Sequence, residues 1–193
     1  MALLKGRGAL QKQAKKNSQL VNYEDDLKYA ENDISLDPND AYAWYRKGAA
    51  LNNLGRYKEA LGSFDKAIEI NPKLGKAWYN KGSALVELRE NTEAIKCFDK
   101  AIEIDPNDPY AWYHKGAALV NNLRDYQEAL KCLDKAISID PSTNPAIWTD
   151  KGVALANLAK YEEAVKTYDK ALDIDPNDAR AWTDKDATLT KLG

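Results

Sequence analysis

The stretch AYAWYRKGAALNNLGRYKEALGSFDKAIEINP, residues 41–72, decides the architecture of this chain. Trp44, Gly48, Leu51 and Leu54 recur at helical spacing and predict a first amphipathic helix. Tyr57, Ala60, Leu61, Phe64, Ala67 and Ile68 predict a second. Gly55 lies between them, where a tight helix–helix turn needs a permissive backbone. Asn71-Pro72 ends the second helix, because proline lacks a donor and biases the preceding residue away from α. Asp40 stands at the position of an N-cap.

The same pattern returns along the chain. Its five tryptophans are Trp44, Trp78, Trp112, Trp148 and Trp182, spaced 34, 34, 36 and 34. Pro38, Pro72, Pro106, Pro141 and Pro176 are spaced 34, 34, 35 and 35. Together the series place one extra residue between Leu119 and Leu123 and another within 141–145. Asp108 and Asp178 take the N-cap position of Asp40, with Pro109 opening one helix. Alanine and glycine columns (Ala60, Ala94, Ala129, Ala164; Gly48, Gly82, Gly116, Gly152) leave room for paired helices to approach closely. The tryptophans, in strict register with Gly and Leu, are expected in the core rather than as stacking platforms for bases.

A 34-residue helix–turn–helix unit with a Trp–Gly–Leu first helix, an Ala-x3-Phe second helix and a closing Pro resembles the tetratricopeptide repeat family. Ala60-x3-Phe64 and Ala94-x3-Phe98 fit fully, while Leu133 and Tyr168 replace Phe in later copies. Lys47, Lys81, Lys115, Lys151 and Lys185 fill a column where the family usually has Leu, and Asn91 replaces a Tyr that commonly follows the turn. The resemblance implies an all-α fold, a right-handed superhelical α-solenoid. It divides the chain into repeats 41–74, 75–108, 109–144 and 145–178 and a capping helix over 179–193; a cut from a longer array is the other reading of that end. Residues 1–40 keep only the frame, since Asp26 and Asp33 fall in the alanine columns. They are read as a basic segment and degenerate leading hairpin, with helices over 8–20 and 22–36; the rival is a flexible basic arm followed by one helix.

Composition narrows the function. Among 193 residues, 28 Lys and Arg against 30 Asp and Glu leave −2, too balanced for a polyanion binder, although residues 1–23 carry five cations and no acid. No nucleic-acid partner is expected. No apolar run reaches membrane-spanning length, and Leu3-Leu4 is too short for a signal peptide, so a cytoplasmic protein without membrane contact is expected. Cys97 and Cys132 share a column with Ser63 and Thr167 and read as packing residues of a reducing compartment. A single histidine, His114, excludes a His-rich metal cluster, and no Gly-rich loop follows a strand. The Asp-Pro-Asn-Asp turns lack calcium-loop spacing. Neither cofactor, metal nor catalysis is expected.

The resemblance implies that function lies on a concave groove lined by first helices. Its ligand-facing columns contain Tyr42, Tyr45, Arg46 and Asn53, then Lys76, Tyr79 and Asn80, then Tyr110, Tyr113, His114 and Asn122, then Thr149, Asp150 and Asn157. The last helix adds Arg180, Thr183, Asp184 and Lys191. Tyrosines separated by Ala49, Ser83 and Ala117 suggest pockets for apolar side chains, each with a hydroxyl at its rim. Some family members clamp a C-terminal carboxylate with Lys, Asn and Arg. Here Tyr45 and Ala49 stand where Lys and Asn belong, and Asp150 where Arg belongs, which argues against such tails. The expected function is a protein–protein interaction scaffold holding a partner's peptide or helix in the groove. Homo-oligomerisation through a terminal helix or the basic arm is the alternative.

Overall fold

A computed structural model describes residues 22–142 and 144–193 of the chain. The described residues form helices and turns, with no strand among them. The helices are α1 (22–36), α2 (Ala41–Asn53), α3 (Tyr57–Ile70), α4 (Gly75–Glu87), α5 (Asn91–Ile104), α6 (Pro109–Ala118), α7 (Tyr126–Ile139), α8 (Ala146–Asn157), α9 (Tyr161–Ile174) and α10 (Ala179–Leu192). The helix expected over 8–20 lies outside the described residues; the one over 22–36 is present. The chain divides into two compact units, Met1–Arg89 and Glu90–Gly193.

In the first unit, the Asp40 carboxylate caps α2 by accepting from the Tyr42 and Ala43 N–H groups at 2.8 and 3.1 Å. α2 and α3 pack together, α2 burying Ala43, Gly48, Ala50 and Leu51 and α3 burying Ala60, Ser63, Phe64 and Ala67. The helices meet so closely that a Cβ on Gly48 would stand 2.5 Å from the Phe64 ring. At the turn, Gly55 takes φ +75° and the Arg56 N–H reaches the Leu51 carbonyl at 2.9 Å. α1 contributes Leu27 to the same core, and Asp33, out of place in an alanine column, forms an ion pair with Arg46.

The second unit repeats this design with other side chains. Leu133 and Tyr168, both buried, fill the space that Phe64 fills in α3. A Cβ on Gly116 or Gly152 would collide with them at 2.8 and 2.4 Å. The inserted residue after Leu119 is absorbed as a π-helical turn, Leu119–Leu123, which closes with Arg124 at φ 57°. Inserting a residue into a helix without breaking it is what a π turn does.

The tryptophans depart from the core expectation. Trp44, Trp78, Trp112 and Trp148 are half-buried, and Trp182 is 47% exposed. Their place is the seam between successive hairpins. The indole N–H of Trp44, Trp78, Trp112 and Trp182 donates to the carbonyl of the proline six residues earlier, at 2.9–3.0 Å. Trp148 stands seven residues after Pro141, and its buried Nε1 has no partner. The unusual lysine column explains itself at the same seam. Lys81, Lys115, Lys151 and Lys185 reach back to Asp65, Asp99, Asp134 and Asp169 of the preceding helix at 2.6–2.8 Å. Lys81, Lys151 and Lys185 also lie over the rings of Trp78, Trp148 and Trp182.

Candidate functional site

The first-helix residues fall in both compact units. In the first unit, the turn-by-turn spacing of α2 brings Tyr42, Tyr45 and Arg46 onto one patch. The Tyr42 and Tyr45 rings are 5.3 Å apart, and Tyr45 leans on Phe64 at 6.4 Å. The Arg46 guanidinium lies 5.8 Å over the Tyr42 ring while its other side pairs with Asp33. Its Nε is buried without a partner. Burial raises the Tyr45 hydroxyl pKa, Tyr42 adds to the rise, and a hydrogen bond with the Asn80 side chain of α4 opposes it. Tyr45, Arg46, Ala49, Ala50 and Asn53 line a cavity of about 400 Å³ together with Asp26 and Tyr29 of α1. Lys76 is exposed, Tyr79 is half-buried, and the Asn80 amide donates to the Lys76 carbonyl at 2.9 Å.

In the second unit the expected residues are more committed. Tyr110 is 50% exposed, but Tyr113, Thr149 and Asp150 are buried. The Tyr113 ring meets His114 edge-on at 4.9 Å, and His114 stacks on Phe98 at 6.2 Å. Burial lowers the His114 pKa below its usual 6.5, against a small opposing pull from Asp108. Thr149 donates to Asp178 at 2.8 Å. Asp150, 2% exposed, receives the Arg180 Nη1 at 2.8 Å and the Tyr113 hydroxyl and Asn121 amide at 3.4 Å each. Arg180 Nη2 donates to the Asn121 carbonyl oxygen at 3.0 Å. Burial raises the Asp150 pKa, and the Arg180 cation holds the rise in check.

Asn121 was not among the residues read from the sequence, and its signal is recoverable. Counted back from Leu123, the column of Asn53 falls on Asn122, which is exposed. Counted forward nine residues from Trp112, as Asn53 is from Trp44 and Asn157 from Trp148, it falls on Asn121. Asn121 and Asn157 behave alike: each amide donates to the carbonyl four residues back, at 2.9 and 2.8 Å.

Cys97 and Cys132 are buried and are not joined in a disulfide. Burial pushes the Cys132 pKa up to about 11, so it packs as a neutral group. Among the described residues no set of three His, Cys, Asp or Glu side chains is gathered to hold a metal, and no helix is long and apolar enough to cross a membrane.

Tetratricopeptide repeat family models match residues 41–74, 75–108, 97–131 and 123–184. No curated protein matches. The solved structure of YrrB, described as a TPR protein with an unusual peptide-binding site, is 29% identical; it covers 88% of this chain and 86% of its own, with a TM-score of 0.73. MamA from Desulfovibrio magneticus RS-1 is 23% identical over 90% of this chain and 94% of its own, with a TM-score of 0.72. The thermophilic TPR protein TTC0263 of Thermus thermophilus is 18% identical over 93% and 96%, with a TM-score of 0.66.

Proposed function

Because the chain belongs to the tetratricopeptide repeat family, and is thus built as a protein-interaction scaffold, we propose that it holds a partner's peptide or helix against its first helices and performs no catalysis. We read 41–178 as four repeats with 179–193 as a capping helix. The observation that carries the proposal is the cavity of the first unit walled by Tyr29 and Tyr45, with Tyr42, 50% exposed, packed on the Tyr45 ring beside it and Arg46 already neutralised by Asp33. An apolar side chain entering it loses water against aromatic walls and finds tyrosine hydroxyls at the rim. That the 29% identical YrrB is described as having a peptide-binding site supports the same reading. The test is affinity capture from native cell extract with the natural chain and with Tyr42→Ala and Tyr45→Ala. Partners specific to the natural chain and lost from both variants support the proposal; an unchanged set sinks it. Tyr113→Ala is unsuited, because that ring is buried and its loss perturbs the core.

Self-assembly stands second, favoured by α10. Leu189 is 42% exposed where Leu51, Leu85, Leu119 and Leu155 are 2–5%, and Trp182 is exposed beside it. Light scattering over a concentration series separates the two, since a constant monomer mass rules out self-assembly.

A further inference from the structure

Buried carboxylates are costly unless a cation and further donors surround them. Asp150 meets that condition with groups from several elements: Tyr113 of α6, Asn121 of the π-helical turn and Arg180 of α10. The exposure is unequal. Asp150 is 2% exposed and its cation 44%, so an anionic floor is fixed in place and the guanidinium lies on it from the solvent side. The acceptors are also spread. Arg180 uses Nη1 for Asp150 Oδ1 and Nη2 for Asn121 Oδ1, so two nitrogens of one planar group are each assigned an acceptor. A lysine ammonium, a point donor, lacks that fork.

We infer that Asp150, Asn121 and Tyr113 form a guanidinium-binding site, filled in the free protein by the chain's own Arg180 and open to an arginine of a bound partner. The occupant already present is the guide to the ligand: the site holds a guanidinium supplied by another helix. The exchange leaves neither cation stranded. Arg180 Nε lies 3.6 Å from Asp184 Oδ2, one turn along α10, so Arg180 can move onto Asp184 when an incoming arginine takes Asp150. Asp150 and Asp184 contact Arg180 and Asp178 acts on both Arg180 and Asp184, so the local balance with Arg180 in place remains anionic and attracts a second cation. That the arginine belongs to a protein rests on the scaffold reading above; the site itself is testable without any partner.

The experiment uses the full chain carrying Arg180→Ala and two small probes, acetylarginine amide and acetyllysine amide. The side-chain amide resonance of Asn121 and the melting temperature are followed during titration. Acetylarginine amide is expected to shift the Asn121 amide and raise the melting temperature, with a dissociation constant at least about threefold below that of acetyllysine amide. Adding Asp150→Asn is expected to abolish the response. Should Arg180→Ala fail to fold, Arg180→Lys keeps the charge while removing the Nη2 donor to the Asn121 side-chain oxygen, and is titrated in the same way. Equal responses to both probes, a response that survives Asp150→Asn, or no shift of Asn121 at tens of millimolar probe overturns the inference. Such a failure leaves capture by Tyr42 and Tyr45 untouched, because no partner protein enters the titration.

Discussion

His114 lies between the rings of Tyr113 and Phe98, and burial holds its pKa below 6.5. The folded state therefore binds a proton less readily than the unfolded chain. The stability this contributes is complete above about 6.5 and is lost as pH falls from there toward the lower folded value. Denaturation midpoints measured across that window should fall with pH, and the slope should flatten in His114→Gln. An identical slope in the variant would assign the effect to the carboxylates instead. The sequence showed that His114 is the chain's single histidine and belongs to a first helix, but not that Phe98, sixteen residues earlier, would cover it. The tryptophans show the same limit. Their 34-residue spacing is plain in the sequence, yet half-burial at a seam and full burial in a core produce the same spacing.

At the scale of the helical hairpin, α2 and α3 with their turn hold three glycines that substitution by alanine should separate by sign. Gly48→Ala drives a Cβ to 2.5 Å from the Phe64 ring and should cost about 1–3 kcal/mol through overpacking. Gly55→Ala imposes a side chain at φ +75° and should cost about 1 kcal/mol. Gly62, inside α3 with open space around it, should gain about 0.5–1 kcal/mol as Ala, since glycine there only adds backbone freedom to the unfolded chain. Chemical denaturation of the three variants checks the order; a destabilising Gly62→Ala would contradict it. Hairpins of this kind were legible because Trp, Gly, Phe and Pro each have a separate mechanical duty at fixed spacing. How the two insertions are absorbed was not, because a residue count does not distinguish a π-helical turn from a longer loop. The loop insertion after Pro141 leaves Trp148 Nε1 buried and unbonded. Deleting Ser142 restores the six-residue spacing seen at the other four tryptophans and should stabilise the chain by about 1 kcal/mol, the low end for a buried unsatisfied donor. An unchanged or lower melting temperature would show that the loop, and not the missing bond, sets the local energy.

For the whole molecule, the sequence named the first-helix columns but could not say which of their members are spoken for. Arg46 looked like a free groove cation and is paired with Asp33; Asp150 looked like a free acid and is buried under Arg180. Both pairings join residues at least thirteen apart in the chain, which no local pattern encodes. Their consequence concerns binding. With a net charge of −2, and with Arg46 and Asp150 each paired within its own unit, long-range attraction contributes little to partner capture. Exposed ion pairs contribute only ~0.2–1 kcal/mol each, whereas an apolar anchor buried against Tyr42 and Tyr45 contributes ~1.5–3 kcal/mol. Even the exchange of one arginine at Asp150 swaps one ion pair for another and adds a single charge. Partner affinity measured at about 50 mM and about 300 mM salt should therefore differ by less than about tenfold, and Tyr45→Ala should weaken it more than Arg46→Ala. A larger salt effect, or a reversed order of the two variants, would mean that charge rather than aromatic burial holds the partner.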